Sequence, residues 1–189
     1  MQFVSLGTWI DLLDPQAQAR LHSFRRDEDK LRLMLGRLLL RIALEADGMQ
    51  GLIRELRYTA LGKPYLPGLE FSISHSASLV VLAISSQYAL GIDCEEITDI
   101  AIRDFRSYFN LAEWSFICSA SSAQKAFYQL WTRKEALLKA LGTGLQANLP
   151  ELGVLSDPVC RQQRNWIFRE VSLGTQYCTH LCHSSEITK

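Results

Sequence analysis

Hydrophobic and polar positions along the chain alternate between two periods. Over residues 27–46, DEDKLRLMLGRLLLRIALEA, Leu31, Leu35, Leu38 and Ile42 recur at i, i+4, i+7 and i+11, and Asp27, Glu28 and Asp29 fill the first turn. This spacing predicts a helix with an apolar face, its acidic start suited to the helix dipole. On its other side Arg26, Lys30, Arg37 and Arg41 form a basic stripe, expected to be a solvated face, and Arg32 lies nearer the apolar flank. A short strand is predicted around 53–59, then the turn LGKPYLPG at 61–68. Strand material runs from Phe71 to Ile84, its second part apolar on both faces and so expected to be buried. SSQY reads as a hairpin turn and ALGIDCE as the returning partner strand. A second strong helix spans 123–141, AQKAFYQLWTRKEALLKAL, closed by Gly142 and Gly144, and NWIFREVSLGTQYCTHLC reads as a closing hairpin. The order predicts an α+β protein of two comparable halves, 1–98 and 99–189, each running from helix to strands.

Composition narrows the class. The chain has 189 residues, 48% of them hydrophobic and 21% charged, as in a folded globular protein. Twenty basic residues balance twenty acidic ones, so no overall charge points to nucleic acid or an anionic membrane. MQFVSLGTWIDLLD lacks a positive leader region, and the longest apolar run, LVVLAI at 79–84, is too short to span a bilayer. Five irregularly spaced cysteines do not form a secreted disulfide framework. The expectation is a cytoplasmic protein with reduced thiols. CTHLCH at 178–183 holds zinc-ligand residue types, but Cys178, His180 and Cys182 would alternate along one face of a strand roughly 7 Å apart, too far to wrap one tetrahedral ion.

Chemistry gathers at two places. On the strand ALGIDCEEI, Asp93 and Glu95 share a face while Ile92 and Cys94 point to the core, leaving Glu96 solvated. Such a pair is either a solvated strand end or the start of a site for a hard cation such as magnesium, which takes carboxylates, waters and a substrate phosphate. On the helix 123–141, Lys134 falls among Leu130, Leu138 and Leu141, where a charged head is costly without an anion. Trp131, Glu135 and Lys139 form the neighbouring stripe. A Glu135 to Lys139 surface pair accounts for two of these residues but not for Lys134. Were Glu135 to face the strand, its carboxylate would join Asp93 and Glu95 on one metal, with lysines near for phosphate oxygens. Lys63 in the rigid turn GKP, Ser74 and His75 in SHS, and Arg32 complete a cationic pocket within a neutral protein.

The ordered set GKPYL, FSISHS, LGIDCE and WTRKEALLKALGTGL, within a span from about Phe24 to Leu145, resembles the 4'-phosphopantetheinyl transferases, of the longer, pseudo-dimeric surfactin-synthetase-activating type. The resemblance implies two similar halves related by a pseudo-twofold. It also implies a holo-[acyl-carrier-protein] synthase activity: Mg2+-dependent transfer of phosphopantetheine from coenzyme A to a serine of an apo acyl or peptidyl carrier protein, with release of adenosine 3',5'-bisphosphate. By motif position Asp93, Glu95 and Glu135 look like the magnesium ligands, and Lys139 like the lysine that meets the diphosphate and protonates the leaving group. Glu135 looks like the acceptor of the serine proton. Arg32, Lys63, Pro64, Ser74, His75 and Lys134 look like coenzyme A contacts, Arg32 near the nucleotide 3'-phosphate, with Gly62 shaping the loop.

The chain departs from the family at Ser72, where Asn is common, and at Cys94, where an aliphatic residue is common. Residues 107–123 resemble the segment that helps hold the carrier protein, with Leu111, Trp114 and Phe116 either exposed anchors or core. A chain of two halves is expected to act as a monomer. Two other readings of the same acids are a magnesium-dependent nuclease or phosphohydrolase and a non-catalytic module for coenzyme A or a carrier. Zero net charge argues against the first and the full set of acids with Lys139 against the second.

Overall fold

The computed structural model describes residues 13–144 and 148–186; residues 1–12 of the N-terminal stretch read for a leader and Leu145 of the second helix motif lie outside these. The chain forms two compact units, one ending at Arg57 and one beginning at Tyr58. The expected halves met near residue 98. The strands over 70–96 instead belong to the same compact unit as everything after them.

In the first unit Asp14 starts helix α1 (Pro15–Ser23), its Oδ1 accepting the Ala17 amide at 2.9 Å, with Pro15 at the first helical position. Helix α2 is Asp27–Ala46, with the predicted bounds. Its buried face differs from the predicted one. Arg37, Leu40 and Leu44 are buried and Leu33 packs on the cluster of Leu13, Ala17 and Leu21, whereas Leu31 and Ile42 are more than half exposed. The buried set has the predicted spacing but is shifted by two residues, which rotates it to nearly the opposite side. Leucine occurs around most of this helix, so periodicity could not choose between faces. Arg37, expected in the solvated stripe, is buried because Asp14 Oδ2 accepts its Nε at 3.3 Å.

The strand expected over 53–59 is mostly a 3-10 turn, Gln50–Glu55, closed by the Leu52 amide on Met49 and the Leu56 amide on Ile53. Only β1 (Arg57–Tyr58) is extended, and it pairs with β2 (Pro64–Tyr65). Strands β3 (Glu70–Ser76) and β4 (Leu79–Ser85) form an antiparallel hairpin that turns at Ala77, φ 48°. Within β4 only Val81 is buried; the other residues are half-buried, not enclosed on both faces.

Strand β5 (Leu90–Glu96) does not return beside β4. It pairs antiparallel with β8 (Tyr177–Ser184), which pairs with β7 (Arg164–Glu170), which pairs with β6 (Val159–Arg161). The closing hairpin is therefore present, and it adopts β5 as its third strand. A second 3-10 turn (Ile102–Tyr108) and helix α3 (Leu111–Ser119) lead to helix α4 (Ala123–Leu141). Gly142 caps α4 at φ 71°, a left-handed conformation that glycine adopts without Cβ strain. Helix α4 packs on β5 and β8 with one side and on the aromatic cluster of Phe105, Phe109, Phe127 and Trp131 with another. It is consequently buried at most positions from Ala126 to Ala140. On β8, Cys178, His180 and Cys182 are buried on one face as their alternation predicts, and His180 Nδ1 lies 2.7 Å from Thr132 Oγ1 of α4. Among the described residues, no helix is long and apolar enough to cross a membrane.

Candidate active site

Gly91 sets how closely α4 approaches β5. A Cβ at this position would overlap the Ala136 carbonyl oxygen and lie 2.5 Å from the Ala140 nitrogen, so only hydrogen fits there. Gly91, Asp93 and Glu95 alternate onto the helix side of β5, while Ile92 and Cys94 turn the other way to pack with Val81 and Leu181. The close approach brings Lys139 of α4 onto Asp93: its Nζ donates to Asp93 Oδ1 at 2.7 Å and to Ser74 Oγ at 2.8 Å. Asp93 is 4% exposed, and Ser74 also donates to its Oδ1 at 2.9 Å. Glu95 Oε2 accepts from Ser76 at 2.8 Å.

The three acids share one electrostatic neighbourhood. Burial raises the Asp93 carboxyl above its ordinary value, opposed by the charge and hydrogen bond of Lys139. Burial likewise raises Glu95, opposed by the Ser76 hydroxyl. For Glu135, burial and then the Asp93 charge push the carboxyl up to about 7, with Lys139 opposing and Glu95 adding to the rise. Glu135, one turn before Lys139 on α4, thus feels the charges of Asp93, Lys139 and Glu95. The expected convergence on one point is only partly met: among the described residues no group of three His, Cys, Asp or Glu is gathered closely enough to hold a metal ion. Lys139 donates to Asp93 Oδ1 and Ser76 donates to Glu95 Oε2. The donor chemistry nonetheless fits a hard dication. All three groups offer oxygen, and Asp93 Oδ2 is a buried carboxylate oxygen with no hydrogen-bond partner.

The remaining expected residues divide. Lys63 reaches the site, donating Nζ to the Lys139 carbonyl at 2.6 Å, and burial lowers its ammonium. Its turn is tied by the Thr59 amide on the Lys63 carbonyl at 2.9 Å and by Gly62 at φ 79°, with Pro64 following in β2. Ser74 is in the site, but not as a free ligand for coenzyme A: its hydroxyl donates to Asp93 and accepts from Lys139 and from the Cys94 amide at 3.3 Å. His75 points away from Ser74 and is exposed. Arg32, in the first unit, pairs with Asp29 at 2.8 Å.

Lys134 is the clear correction. It is fully buried, and its ammonium donates to the carbonyls of Leu149 (2.8 Å) and Leu152 (2.6 Å) and pairs with Glu113 at 2.9 Å. Three protons meet three acceptors, so none remains for a phosphate. The anion it requires is Glu113, which also closes the capping box of α3 with Asn110 and accepts the Val154 amide. Removing one partner strands a buried charge and costs about 3 to 5 kcal/mol. Lys134→Met is expected to lower urea stability by that order, with part recovered in Lys134→Met/Glu113→Gln, and to leave the KM for coenzyme A of the folded protein unchanged. A raised KM would return Lys134 to the binding site.

Two positions join the expected ones here, Gly91 as a packing contact and Ser76 as a partner of Glu95. A glycine inside an apolar strand is the signal for the first, since it marks close backbone approach. The alternation of Ser72, Ser74 and Ser76 is the signal for the second.

Comparison with known proteins bears on the family. The profile of the 4'-phosphopantetheinyl transferase superfamily matches residues 89–187, and that of the 4'-phosphopantetheinyl transferase N-terminal region matches 4–87. The chain is 29% identical over 153 residues to 4'-phosphopantetheinyl transferase Sfp of Bacillus subtilis, covering 77% of this chain and 67% of that protein. It is 36% identical over 125 residues to 4'-phosphopantetheinyl transferase gsp of Aneurinibacillus migulanus, covering 62% and 51%. To the L-aminoadipate-semialdehyde dehydrogenase-phosphopantetheinyl transferase of Xenopus laevis it is 28% identical over 201 residues, covering 87% and 66%. The chain thus spans about half to two thirds of the length of these relatives. Among solved structures, the holo-[acyl-carrier-protein] synthase of Thermotoga maritima aligns with a TM-score of 0.43 at 17% identity, over 53% of this chain and 64% of that one. The superfamily profile covers over half of the chain and carries β5, α4, all three acids and Lys139, and on that match the chain belongs to the 4'-phosphopantetheinyl transferase superfamily.

Proposed function

We propose that this protein transfers the 4'-phosphopantetheine group of coenzyme A to a serine hydroxyl of an apo acyl or peptidyl carrier protein, releasing adenosine 3',5'-bisphosphate, with magnesium. The observation that carries the reading is the contact of Lys139 with Asp93 and Ser74 beside the orphaned Asp93 Oδ2, with Glu135 on the adjoining turn. Asp93, Glu95 and Glu135 would hold the cation, which when bound supplies positive charge against the diphosphate oxygens. Glu135 accepts the proton of the attacking serine. Lys139, whose Nζ already meets Asp93 and Ser74, donates a proton to the leaving bisphosphate. Lys63, next to Lys139 at the end of α4, meets phosphate oxygens, with Pro64 holding its turn and His75 offering a further donor.

Leu111 and Phe116 on α3, 77% and 41% exposed, are the proposed apolar contacts for the carrier. Trp114 is not one of them: it is half-buried, packed against Phe109 with the Arg106 guanidinium over its ring. The succession of helix and antiparallel strands in 27–85 and again in 123–184 supports two similar halves within a monomer. Five unpaired thiols suit the cytoplasm.

The test is to incubate the protein with coenzyme A, magnesium and several apo carrier proteins and to read each carrier's intact mass. A gain of one phosphopantetheine group is expected. No gain across unrelated carriers would end the transferase reading, and phosphopantetheine released to water would turn it toward a phosphohydrolase.

A further inference from the structure

Strands β3 and β5 lie side by side without a backbone ladder. One edge of β5 is hydrogen-bonded to β8, and on the other the amides of Ile92, Cys94 and Glu96 go to serine hydroxyls of β3: Ser72 at 3.1 Å, Ser74 at 3.3 Å and Ser76 at 2.9 Å. The three bonds repeat with one register, serine i taking the amide of residue i+20. A neighbouring strand would ordinarily offer carbonyls, which accept and cannot donate. Each serine keeps a proton after accepting an amide. Ser74 gives its proton to Asp93 Oδ1 at 2.9 Å and Ser76 gives its own to Glu95 Oε2 at 2.8 Å, in each case the side chain one residue before the amide it accepts. The matching position for Ser72 is Gly91, which has no side chain because the α4 backbone is there.

The row therefore does two things at once. It pairs the free edge of β5, and it places one donor against each carboxylate on the helix side of that strand. Two acids on one face repel and swing apart unless donors fix their rotamers. Pairing alone would not require donors at these two oxygens. We propose that the serine row of β3 aims the acids and that Ser76 is the positioning residue for Glu95, setting the affinity of the site for a divalent cation. This rests on the assignment of Asp93, Glu95 and Glu135 as the cation ligands in the proposed function. Outer partners that orient metal ligands are typically worth about 10- to 100-fold in metal affinity.

Ser76→Thr and Ser76→Val are nearly isosteric and suit a strand equally, differing only in the hydroxyl. With the full chain and Mn2+ as probe, free Mn2+ is followed by its electron paramagnetic resonance signal, and melting temperature is measured alongside. Ser76→Thr is expected to bind Mn2+ within about threefold of wild type and Ser76→Val about 10- to 100-fold more weakly, the KM for coenzyme A at saturating metal being the same in both. Ser72→Ala, which loses the same kind of amide bond with no carboxylate attached, is expected to lose stability while keeping its Mn2+ affinity within threefold. Equal affinities for Thr and Val, an equal loss in Ser72→Ala, or no Mn2+ binding by the wild type would overturn the proposal. If the affinities fall in the expected order and no carrier gains mass, the positioning role stands and the transferase reading fails. If carriers are loaded and Thr and Val do not differ in Mn2+ affinity, the reverse holds.

Discussion

Glu135→Gln lowers the rate of carrier loading by about 10²- to 10⁴-fold, the range that general-base help supplies. The residue sits on α4 one turn before Lys139, where burial and the charges of Asp93 and Glu95 push its carboxyl up to about 7. A carboxylate oxygen there can take the proton that a serine hydroxyl must lose on attack. Glutamine keeps the shape and has no basic oxygen of that strength. It also removes one negative charge from a crowded site, so the variant is expected to fold at least as stably as wild type. Initial rates of carrier mass gain at saturating coenzyme A check the first expectation, and thermal melting checks the second. A rate within threefold of wild type would remove Glu135 from the chemistry. A melting temperature well below wild type would show that the acid serves the fold.

Gly91→Ala has the largest expected effect on structure. The added methyl meets backbone at Ala136 and Ala140, and backbone atoms within a helix cannot swing aside as a side-chain end can. Overpacking of a core costs about 1 to 3 kcal/mol, and contact with helix backbone belongs at the upper end or beyond. At roughly 2 to 4 °C per kcal/mol for a chain of this size, melting falls by roughly 6 to 12 °C. Relief requires α4 to move off β5. That movement carries Lys139 away from Asp93 and Glu135 away from the acid pair, so activity falls further than the folded fraction does. Melting within a degree of wild type would mean that helix and strand do not meet this closely in solution.

Local rules read well where one period dominated. Helix α4 is as predicted because its pattern and its stop at Gly142 agree, and tertiary burial on most sides only reinforces them. Asp93 and Glu95 share a face because side chains alternate along any strand. Local rules failed where several faces were equally apolar. Leucines occur around most of α2, so the same spacing fitted two opposite faces, and the pairing of Arg37 with Asp14 accompanies burial of the other one. They failed again for Lys134. A lysine among leucines does signal a buried anion, but the anion is Glu113, twenty-one residues earlier, and no periodicity links the two.

The sequence by itself determined which residue types could do this chemistry and on which strand face or helix stripe each would stand, because alternation and helical pitch act over a few residues. It also carried the motif order that marks the family. The tertiary structure alone decided partnership: that β5 pairs with β8 rather than β4, that Lys139 meets Asp93 while Lys134 is spent on Glu113, and that Ser76 faces Glu95. Each of these joins residues 19 or more apart in the chain. Pairings at such distance are selected by the competition of whole faces for burial and of buried polar groups for partners, and no local pattern encodes the outcome of that competition.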